Sequence, residues 1–146
     1  MVLSLGPRIS PVPKLAAGTL LQISTAATAD FSGAKTGLAG GPTLIRGGAV
    51  VQSNGFQMRA PRTAIGWNKD YFFMVEVDGR QRNLSVGMTF PELADYMLKL
   101  GCEEAINLDG GGSSTMWVLG NVQNSPSEGQ ERPGANALVL VRKPQK

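Results

Sequence analysis

Histidine is absent from the 146 residues of this chain, and cysteine occurs once, as Cys102. The lack of histidine excludes Ser-His-Asp triads, histidine-based proton transfer and the common zinc sites with imidazole ligands. A single cysteine cannot form an internal disulfide, so we expect Cys102 to be a buried, inert thiol. Any catalysis must therefore use carboxylates, arginines, lysines, hydroxyls or backbone amides.

Long apolar runs and clusters of one charge are missing as well. No stretch approaches the roughly 20 apolar residues that span a bilayer, and residues 1–5 lack the basic start and long apolar run of a signal peptide. The net charge is only +3, and the lysines and arginines are scattered along the chain. We therefore expect no membrane span and no nucleic-acid partner, and the sequence assigns no compartment.

Glycine and proline, in contrast, are abundant, with 19 and 9 residues. This usage shows no repeat and favours short strands with tight turns. An apolar content of 42% is enough to bury one core, so we expect a single domain over residues 1–146. The predicted fold class is α+β, with a mixed, mainly antiparallel β-sheet and one prominent helix at about residues 90–100.

Local patterns place the elements of this fold. A capping box, Thr89-Phe90-Pro91-Glu92, begins the helix, and apolar residues at helical spacing continue it to Gly101. The clearest hairpin joins residues 62–67 to 71–80, so that Arg62 comes near Asp78 and Arg80. Further strands are predicted at residues 1–5, 19–24, 105–108, 116–119, 122–124 and 137–141, with Gly120-Asn121 as a hairpin turn. Residues 40–51 place two short apolar stretches around a glycine turn, as in a hairpin.

The turn after residues 105–108 carries the chemistry. Asp109 stands at the exit of a buried strand and is followed by Gly110, Gly111, Gly112, Ser113, Ser114 and Thr115. Successive glycines let backbone amides point toward one anion, and the serines can add hydroxyl donors. The alternative is a structural glycine-rich turn. No lysine follows the glycines, and no G-x-G-x-x-G spacing occurs, so neither a P-loop nor a dinucleotide site is predicted.

Four blocks of the chain occur in a recognisable order. They are Pro61–Gly66, Val77–Arg80, Asn107–Thr115 and Glu131–Leu138. In this order they resemble the signature of phosphodiester glycosidase domains, which hydrolyse sugar-1-phosphodiesters such as the N-acetylglucosamine cap on mannose phosphate. The resemblance covers about residues 38–142. An Ile-Asn-Gly-Gly-Phe-Phe-like segment of that family has no counterpart before Gly40, so we expect a truncated domain. Family members are often exported.

The resemblance implies a hydrolase that cleaves the glycosidic bond of a sugar-1-phosphodiester. We assign the carboxylate at the anomeric side to Asp109, as nucleophile or as base for water, with Asp78 as a second carboxylate. Arg62 is the third catalytic candidate, because a guanidinium can grip the departing phosphate. Ser113 as a nucleophile ranks below these residues. The phosphate- and substrate-binding candidates are Arg132, Arg80, Asn107, Gly110, Gly111, Gly112, Ser113, Ser114 and Asn136.

Other interpretations remain beside this one. The same arginines and amides would suit a non-catalytic module that binds a phosphorylated glycan or a polysaccharide. A truncated, inactive remnant with open edge strands would require a partner chain for stability, for example a second copy in a homo-oligomer. We expect a small-molecule or glycan sugar phosphate as the partner and no cofactor. Asp78, Asp109 and Asn107 are the hard oxygen ligands that calcium or magnesium accepts, but their spacing gives a metal no support.

Overall fold

A computed structural model describes residues 16–20, 32–52, 58–134 and 137–142 of the chain. The chain divides into two compact units, Met1–Gly37 and Leu38–Lys146. The described residues of the first unit form turns and irregular backbone, and every described helix and strand lies in the second unit. The boundary at Leu38 coincides with the start of the segment that carries the family-like motifs.

A five-stranded sheet organises the second unit, in the spatial order β2-β1-β5-β3-β4. Every described pair of neighbouring strands is antiparallel, and a separate two-stranded sheet pairs β6 with β7. The predicted α+β class with a mainly antiparallel sheet is therefore confirmed. The strands are β1 (Thr43–Arg46), β2 (Ala49–Val50), β3 (Arg62–Trp67), β4 (Phe72–Val77), β5 (Glu104–Asn107), β6 (Trp117–Val118) and β7 (Asn121–Val122).

The single described α-helix, α1 (Phe90–Lys99), begins at the predicted capping box. The Thr89 hydroxyl accepts a hydrogen bond from the Glu92 amide, and the Glu92 carboxylate accepts one from the Thr89 amide. Together these bonds satisfy two backbone donors that a helix start leaves open.

The inner face of the helix packs on the sheet to form the core, whose buried members are Leu44, Ile45, Ala64, Leu93, Ala94, Met97, Cys102 and Ala105. Burial raises the pKa of the Cys102 thiol, as expected for an inert cysteine.

The hairpins formed as predicted, with one shift. The β6–β7 turn lies at Leu119-Gly120 instead of Gly120-Asn121, and both turn residues have positive φ, 51° and 84°. A two-residue turn of type I′ needs positive φ at both central positions, which Gly120 adopts freely and Leu119 adopts against the usual preference of its side chain.

Two terminal expectations differ from the structure. Residues 137–141 form no strand, and Val139, Leu140 and Val141 are exposed. The apolar pattern predicted a strand there, but no described strand pairs with these residues. The strand predicted at residues 19–24 is absent at Thr19 and Leu20, and its remainder lies outside the described residues. The strand predicted at residues 1–5 also lies outside them.

Candidate active site

The candidate site forms where the exit of β5 runs beside the entry of β3. Ala64 pairs with Asn107 within the sheet, and the contact continues past the strand ends: the Leu108 amide donates to the Thr63 carbonyl at 2.8 Å. The Gly111 amide then donates to the Pro61 carbonyl at 2.9 Å. These backbone bonds hold the Asp109 turn against the start of β3, which carries Arg62.

An open cleft of about 420 Å³ lies at this junction. Six predicted site residues line it: Arg62, Arg80, Asn107, Asp109, Gly110 and Gly111. The cleft therefore brings together residues that lie far apart in the sequence. Catalytic groups commonly gather at strand ends and on the loops that follow them.

Arg62 forms part of the floor of the cleft and is held firmly. Its side chain donates from Nε to the Met88 carbonyl at 2.9 Å and from Nη2 to the Met58 carbonyl at 2.7 Å. The guanidinium also stacks over Phe90, 4.0 Å from the ring centroid. Only 9% of the residue is exposed, and its pKa is lowered by burial first and by the nearby Arg80 charge second. All these partners are neutral, so no described carboxylate compensates the charge of Arg62.

Arg80 is exposed, and its backbone conformation differs from that of the residues next to it. It has a φ of 59°, in the left-handed region that side chains other than glycine rarely adopt. Its guanidinium lies beside Gly111, where an added Cβ would be 3.1 Å from Nη2. Within the described residues it makes no hydrogen bond or ion pair. Arg80 is therefore a free donor group on the wall of the cleft.

Asn107 and Asp109 supply the oxygen acceptors of the cleft. Asn107 is only 5% exposed, and its Nδ2 donates to the carbonyls of Gly41 at 2.8 Å and Leu108 at 2.6 Å. These two bonds fix the orientation of the amide and leave the buried Oδ1 without a partner. Asp109 is exposed, and its Oδ1 accepts a hydrogen bond from the Gly110 amide at 2.9 Å. Asn107 therefore also anchors the backbone that presents Asp109.

The glycine turn, expected to offer its amides to an anion, uses most of them internally. The Gly110 amide donates to Asp109, the Gly111 amide to Pro61 and the Ser113 amide to Gly110. Residues Gly111–Ser113 form one 3₁₀ turn, which accounts for the bond from the Ser113 amide to the Gly110 carbonyl. Of the four predicted amides, only that of Gly112 makes no hydrogen bond within the described part of the chain. The side chains around the turn are therefore the better supported anion donors.

Several predicted site residues lie outside the cleft lining. Arg132 forms an ion pair with Glu128 and lies against Gly112. Ser114 is buried, and its hydroxyl accepts a hydrogen bond from Thr63 at 3.3 Å. Ser113 ends the 3₁₀ turn without lining the cleft. Asn136 lies outside the described residues.

Asp78 belongs to a second polar cluster instead. Its Oδ1 accepts hydrogen bonds from the Ser125 amide at 2.8 Å and the Asn124 side chain at 3.5 Å. Asn124 also donates to the Ser114 carbonyl at 3.1 Å. Asp78 thus fastens the segment that follows β7, and the structure gives it no place in the lining of the cleft.

Sequence reasoning missed two charged residues near these groups. Glu76, in the second cluster, has its pKa raised to about 7, by burial first and by the neighbouring Asp78 charge second. The signal was a carboxylate inside the apolar strand β4. Arg59 lines the cleft and pairs with Glu92, but it precedes the motif blocks and had no motif to indicate it.

The described residues contain neither a cluster suited to a metal ion nor a membrane-spanning helix. Among them, no group of three or more histidines, cysteines, aspartates or glutamates could hold a metal ion. No helix within the described ranges is long and apolar enough to cross a membrane.

Comparisons with known proteins agree with this architecture. The phosphodiester glycosidase family profile matches residues 8–141. The N-acetylglucosamine-1-phosphodiester alpha-N-acetylglucosaminidases of Bos taurus and Homo sapiens are each 37% identical to the chain over 68 residues, or 46% of it. A prophage-derived protein of Bacillus subtilis (strain 168), YomE, is 38% identical over 84 residues, or 57% of the chain. The chain spans only 12% to 13% of the length of these relatives.

A solved structure extends the comparison to the fold. The catalytic domain of the zebrafish N-acetylglucosamine-1-phosphodiester alpha-N-acetylglucosaminidase superposes with a TM-score of 0.54 and 28% identity. The match covers 62% of this chain and 34% of that one. The fold and the cleft thus define an α+β domain in which an acidic turn faces arginines. The chain belongs to the phosphodiester glycosidase family.

Proposed function

We propose that this chain hydrolyses the glycosidic bond of sugar-1-phosphodiesters at the cleft between the Asp109 turn and the start of β3. The observation that carries the proposal is that Asp109, Arg62 and Arg80 line one cleft. In the reaction proposed, positive charge develops on the sugar and negative charge develops on the departing phosphate. A carboxylate stabilises the first and guanidinium groups stabilise the second.

Asp109 acts at the anomeric carbon in this proposal, either as the nucleophile or as the base that activates water. It is the only carboxylate that lines the cleft among the described residues. Cleavage at the anomeric carbon releases a phosphate monoester, which departs as a stable anion, so its departure needs little help from a general acid. One carboxylate is therefore sufficient for the chemistry proposed.

The arginines act on the other half of the substrate. Guanidinium groups remain protonated and form paired hydrogen bonds to phosphate oxygens, which stabilises charge that grows as the bond breaks. Neither Asp78 nor Arg132, both predicted for this site, lines the cleft, and the proposal gives neither a contact with the substrate.

The test is hydrolysis of a panel of sugar-1-phosphodiesters, measured as released sugar. We expect Asp109→Asn to lower turnover by at least about 100-fold, because the substitution preserves shape and the oxygen acceptor for Gly110 but removes the negative charge. The matched control is Asp70→Asn, since Asp70 lies in the turn at the far end of the β3–β4 hairpin. Near wild-type turnover of Asp109→Asn would move the catalytic role to another residue.

The same experiment separates hydrolysis from binding alone. A non-catalytic module for phosphorylated glycans would bind the panel without releasing sugar, and Asp109→Asn would leave its binding intact. Binding is measured by isothermal titration calorimetry with the same compounds, on the wild-type chain and on both variants.

A further inference from the structure

A second concave surface lies beside the cleft. It is an open groove of about 340 Å³ between the exposed side of α1 and the loop of residues 85–88, and it is called the helix groove below. Val77 and Met88, which pack against the core, contribute apolar surface to it. None of the site residues predicted from the sequence lines this groove. The helix groove is therefore a feature of the fold to which the proposed reaction assigns no role.

One pair of backbone segments separates the helix groove from the cleft. Ala60 lines the cleft, Met88 lines the groove, and the two residues exchange backbone hydrogen bonds at 3.1 and 3.3 Å. Gly87 permits this close approach, because a Cβ there would overlap the Ala60 backbone. Arg59 lines both cavities. Because paired segments lie only about 5 Å apart, one ligand can occupy the cleft and the groove together.

The helix supplies unpaired polar groups to the groove. Asp95, Tyr96 and Lys99 line it, and their side chains make no hydrogen bond or ion pair within the described part of the chain. Asp95 and Lys99 are four residues apart, a spacing at which opposite charges on a helix can pair. The Tyr96 residue is 42% exposed. The groove thus offers a free acceptor, a free donor and an aromatic ring with a hydroxyl at its tip.

The charges that line the groove cancel. Arg59 and Lys99 are positive, whereas Glu92 and Asp95 are negative. Arg59 and Glu92 already pair with each other, and Arg59 also donates to the Gly87 carbonyl at 3.2 Å. Without a net charge, the groove attracts neither anions nor cations strongly. Its chemistry fits a neutral ligand that donates and accepts hydrogen bonds and has an apolar face for the tyrosine ring.

We propose that the helix groove binds neutral sugar residues, and that these residues belong to the alcohol that leaves with the phosphate. Sugar hydroxyls donate and accept hydrogen bonds, and the C–H groups of a sugar ring form an apolar face that packs on Tyr96. Arg62 in the cleft donates to the Met88 carbonyl, whereas no residue of the Asp109 turn lines the groove. The groove therefore lies on the arginine side of the cleft. The assignment to the leaving alcohol rests on the proposed function, whereas sugar binding in the groove does not.

The first experiment measures sugar binding without catalysis. Neutral trisaccharides of glucose, mannose and N-acetylglucosamine are titrated into the full chain, and binding is measured by NMR chemical shifts. The variants Tyr96→Ala and Asp95→Asn each change one group of the groove. Leu98→Ala is the matched control, because Leu98 is 40% exposed on the same helix and does not line the groove. Circular dichroism checks that each variant is folded.

The expected binding follows from the groups that line the groove. At least one trisaccharide should bind the wild type, with an affinity that changes little with salt because the ligand is neutral. Tyr96→Ala should bind it at least about fivefold more weakly, because the ring surface is lost. Asp95→Asn should also bind it more weakly, since an amide oxygen accepts a weaker hydrogen bond than a carboxylate. Leu98→Ala should bind as the wild type does.

The second experiment tests the link to hydrolysis. Two sugar-1-phosphodiesters are compared that differ only in the leaving alcohol, which is methanol in one and a neutral disaccharide in the other. For the wild type and Leu98→Ala, kcat/KM should be at least about fivefold higher with the disaccharide, because contacts in the groove persist in the transition state. Tyr96→Ala should show a smaller ratio between the two substrates.

The outcomes separate sugar binding from hydrolysis. Failure of every trisaccharide to bind the wild type, or equal binding by Tyr96→Ala, would overturn the sugar site. Binding that depends on Tyr96, without hydrolysis of any phosphodiester, would retain the groove as a sugar site and contradict the proposed function. Hydrolysis with equal kcat/KM for the two leaving alcohols would retain the enzyme and show that the groove does not receive the leaving alcohol.

Discussion

At the scale of single residues, the buried Arg62 and the partly buried Glu76 affect the fold in two different ways. Arg62 is locked by carbonyl acceptors and an aromatic ring, whereas Glu76 keeps a buried oxygen, Oε1, without a partner. Because the Arg62 guanidinium is held by these contacts, the stability of the fold depends on the shape of that side chain. A partly buried carboxylate with one oxygen left without a partner makes the fold depend on its protonation state.

The geometry of Arg62 leads to a stability prediction. Arg62→Lys keeps the positive charge but cannot reach the Met58 and Met88 carbonyls with a planar fork or stack in the same way on Phe90. We expect the free energy of unfolding to fall by about 1–3 kcal/mol, measured by urea denaturation. Arg46→Lys, at an exposed position of β1, is the control and should change little. An unchanged stability of Arg62→Lys would mean that these contacts contribute nothing to the fold.

The protonation of Glu76 predicts how stability depends on pH. Its pKa is about 7 in the folded chain and 4.5 for the free group, so between these values the folded state binds more protons than the unfolded one. Stability should therefore fall as pH rises from about 4.5 to 7 and level off above 7. Glu76→Gln should flatten this part of the curve and be more stable at pH 8 than the wild type, by about 1 kcal/mol because the group is only partly buried.

Melting temperatures between pH 4.5 and 8 provide the measurement. Glu103→Gln, at an exposed position just before β5, serves as the control for a lost carboxylate. If the wild type and Glu76→Gln give parallel curves over this range, Glu76 is not the titrating group.

At the scale of elements, the contact between α1 and the sheet depends on a missing side chain. A Cβ at Gly66 of β3 would lie 2.6 Å from the Cys102 sulfur and 2.7 Å from the Met97 Cε. Close-packed cores accommodate extra methyl groups poorly, because neighbours must leave their preferred rotamers. Gly66 therefore sets how closely the helix approaches the strand.

Gly66→Ala should lower the free energy of unfolding by about 1–3 kcal/mol, as judged by urea denaturation. Adding Cys102→Ala to the same chain removes the nearest atom and should recover part of the loss. Gly37→Ala, where an added Cβ meets nothing within 4 Å, is the control. If Gly66→Ala were as stable as the wild type, the helix would be able to move away from the sheet at little cost.

Local sequence signals predict most of the helices and strands, but they do not predict the contacts that side chains make at the ends of these elements. The capping box at Thr89 and the β-branched and aromatic residues on both sides of the polar turn at residues 68–70 act within a few residues, so the helix and the main hairpin were predictable. The sequence predicts that Arg62 binds the substrate, but it does not predict the hydrogen bonds from Arg62 to the Met58 and Met88 carbonyls. Those bonds depend on how the loops pack, which no local sequence pattern indicates. The hairpin places the Asp78 backbone next to the Arg62–Val77 pair, as predicted. The Asp78 side chain, however, accepts a hydrogen bond from the amide of Ser125, 47 residues away.

At the scale of the whole molecule, β4 is an edge strand of the described sheet, and Phe72 and Met74 on it are exposed. An open apolar edge can pair with another chain, and a lysine there opposes such pairing. We expect the wild-type chain to self-associate as its concentration rises, and Met74→Lys to remain monomeric with similar stability. Analytical ultracentrifugation over a concentration series measures this. A monomer at all concentrations would show that the β4 edge is already protected.

The order of the strands in the sheet has a consequence for how the protein is made. The central position between β1 and β3 is filled by β5, which a ribosome delivers after the other four strands of the sheet. The β1–β2 and β3–β4 hairpins can each close locally, but nothing in the described sheet joins them until residues 104–107 have emerged. Contacts between such distant segments form slowly compared with local ones. We therefore expect the two hairpins of a nascent chain to lack hydrogen bonds to a shared strand until β5 has emerged, and the Asp109 turn, directly after β5, to take its place as the sheet closes.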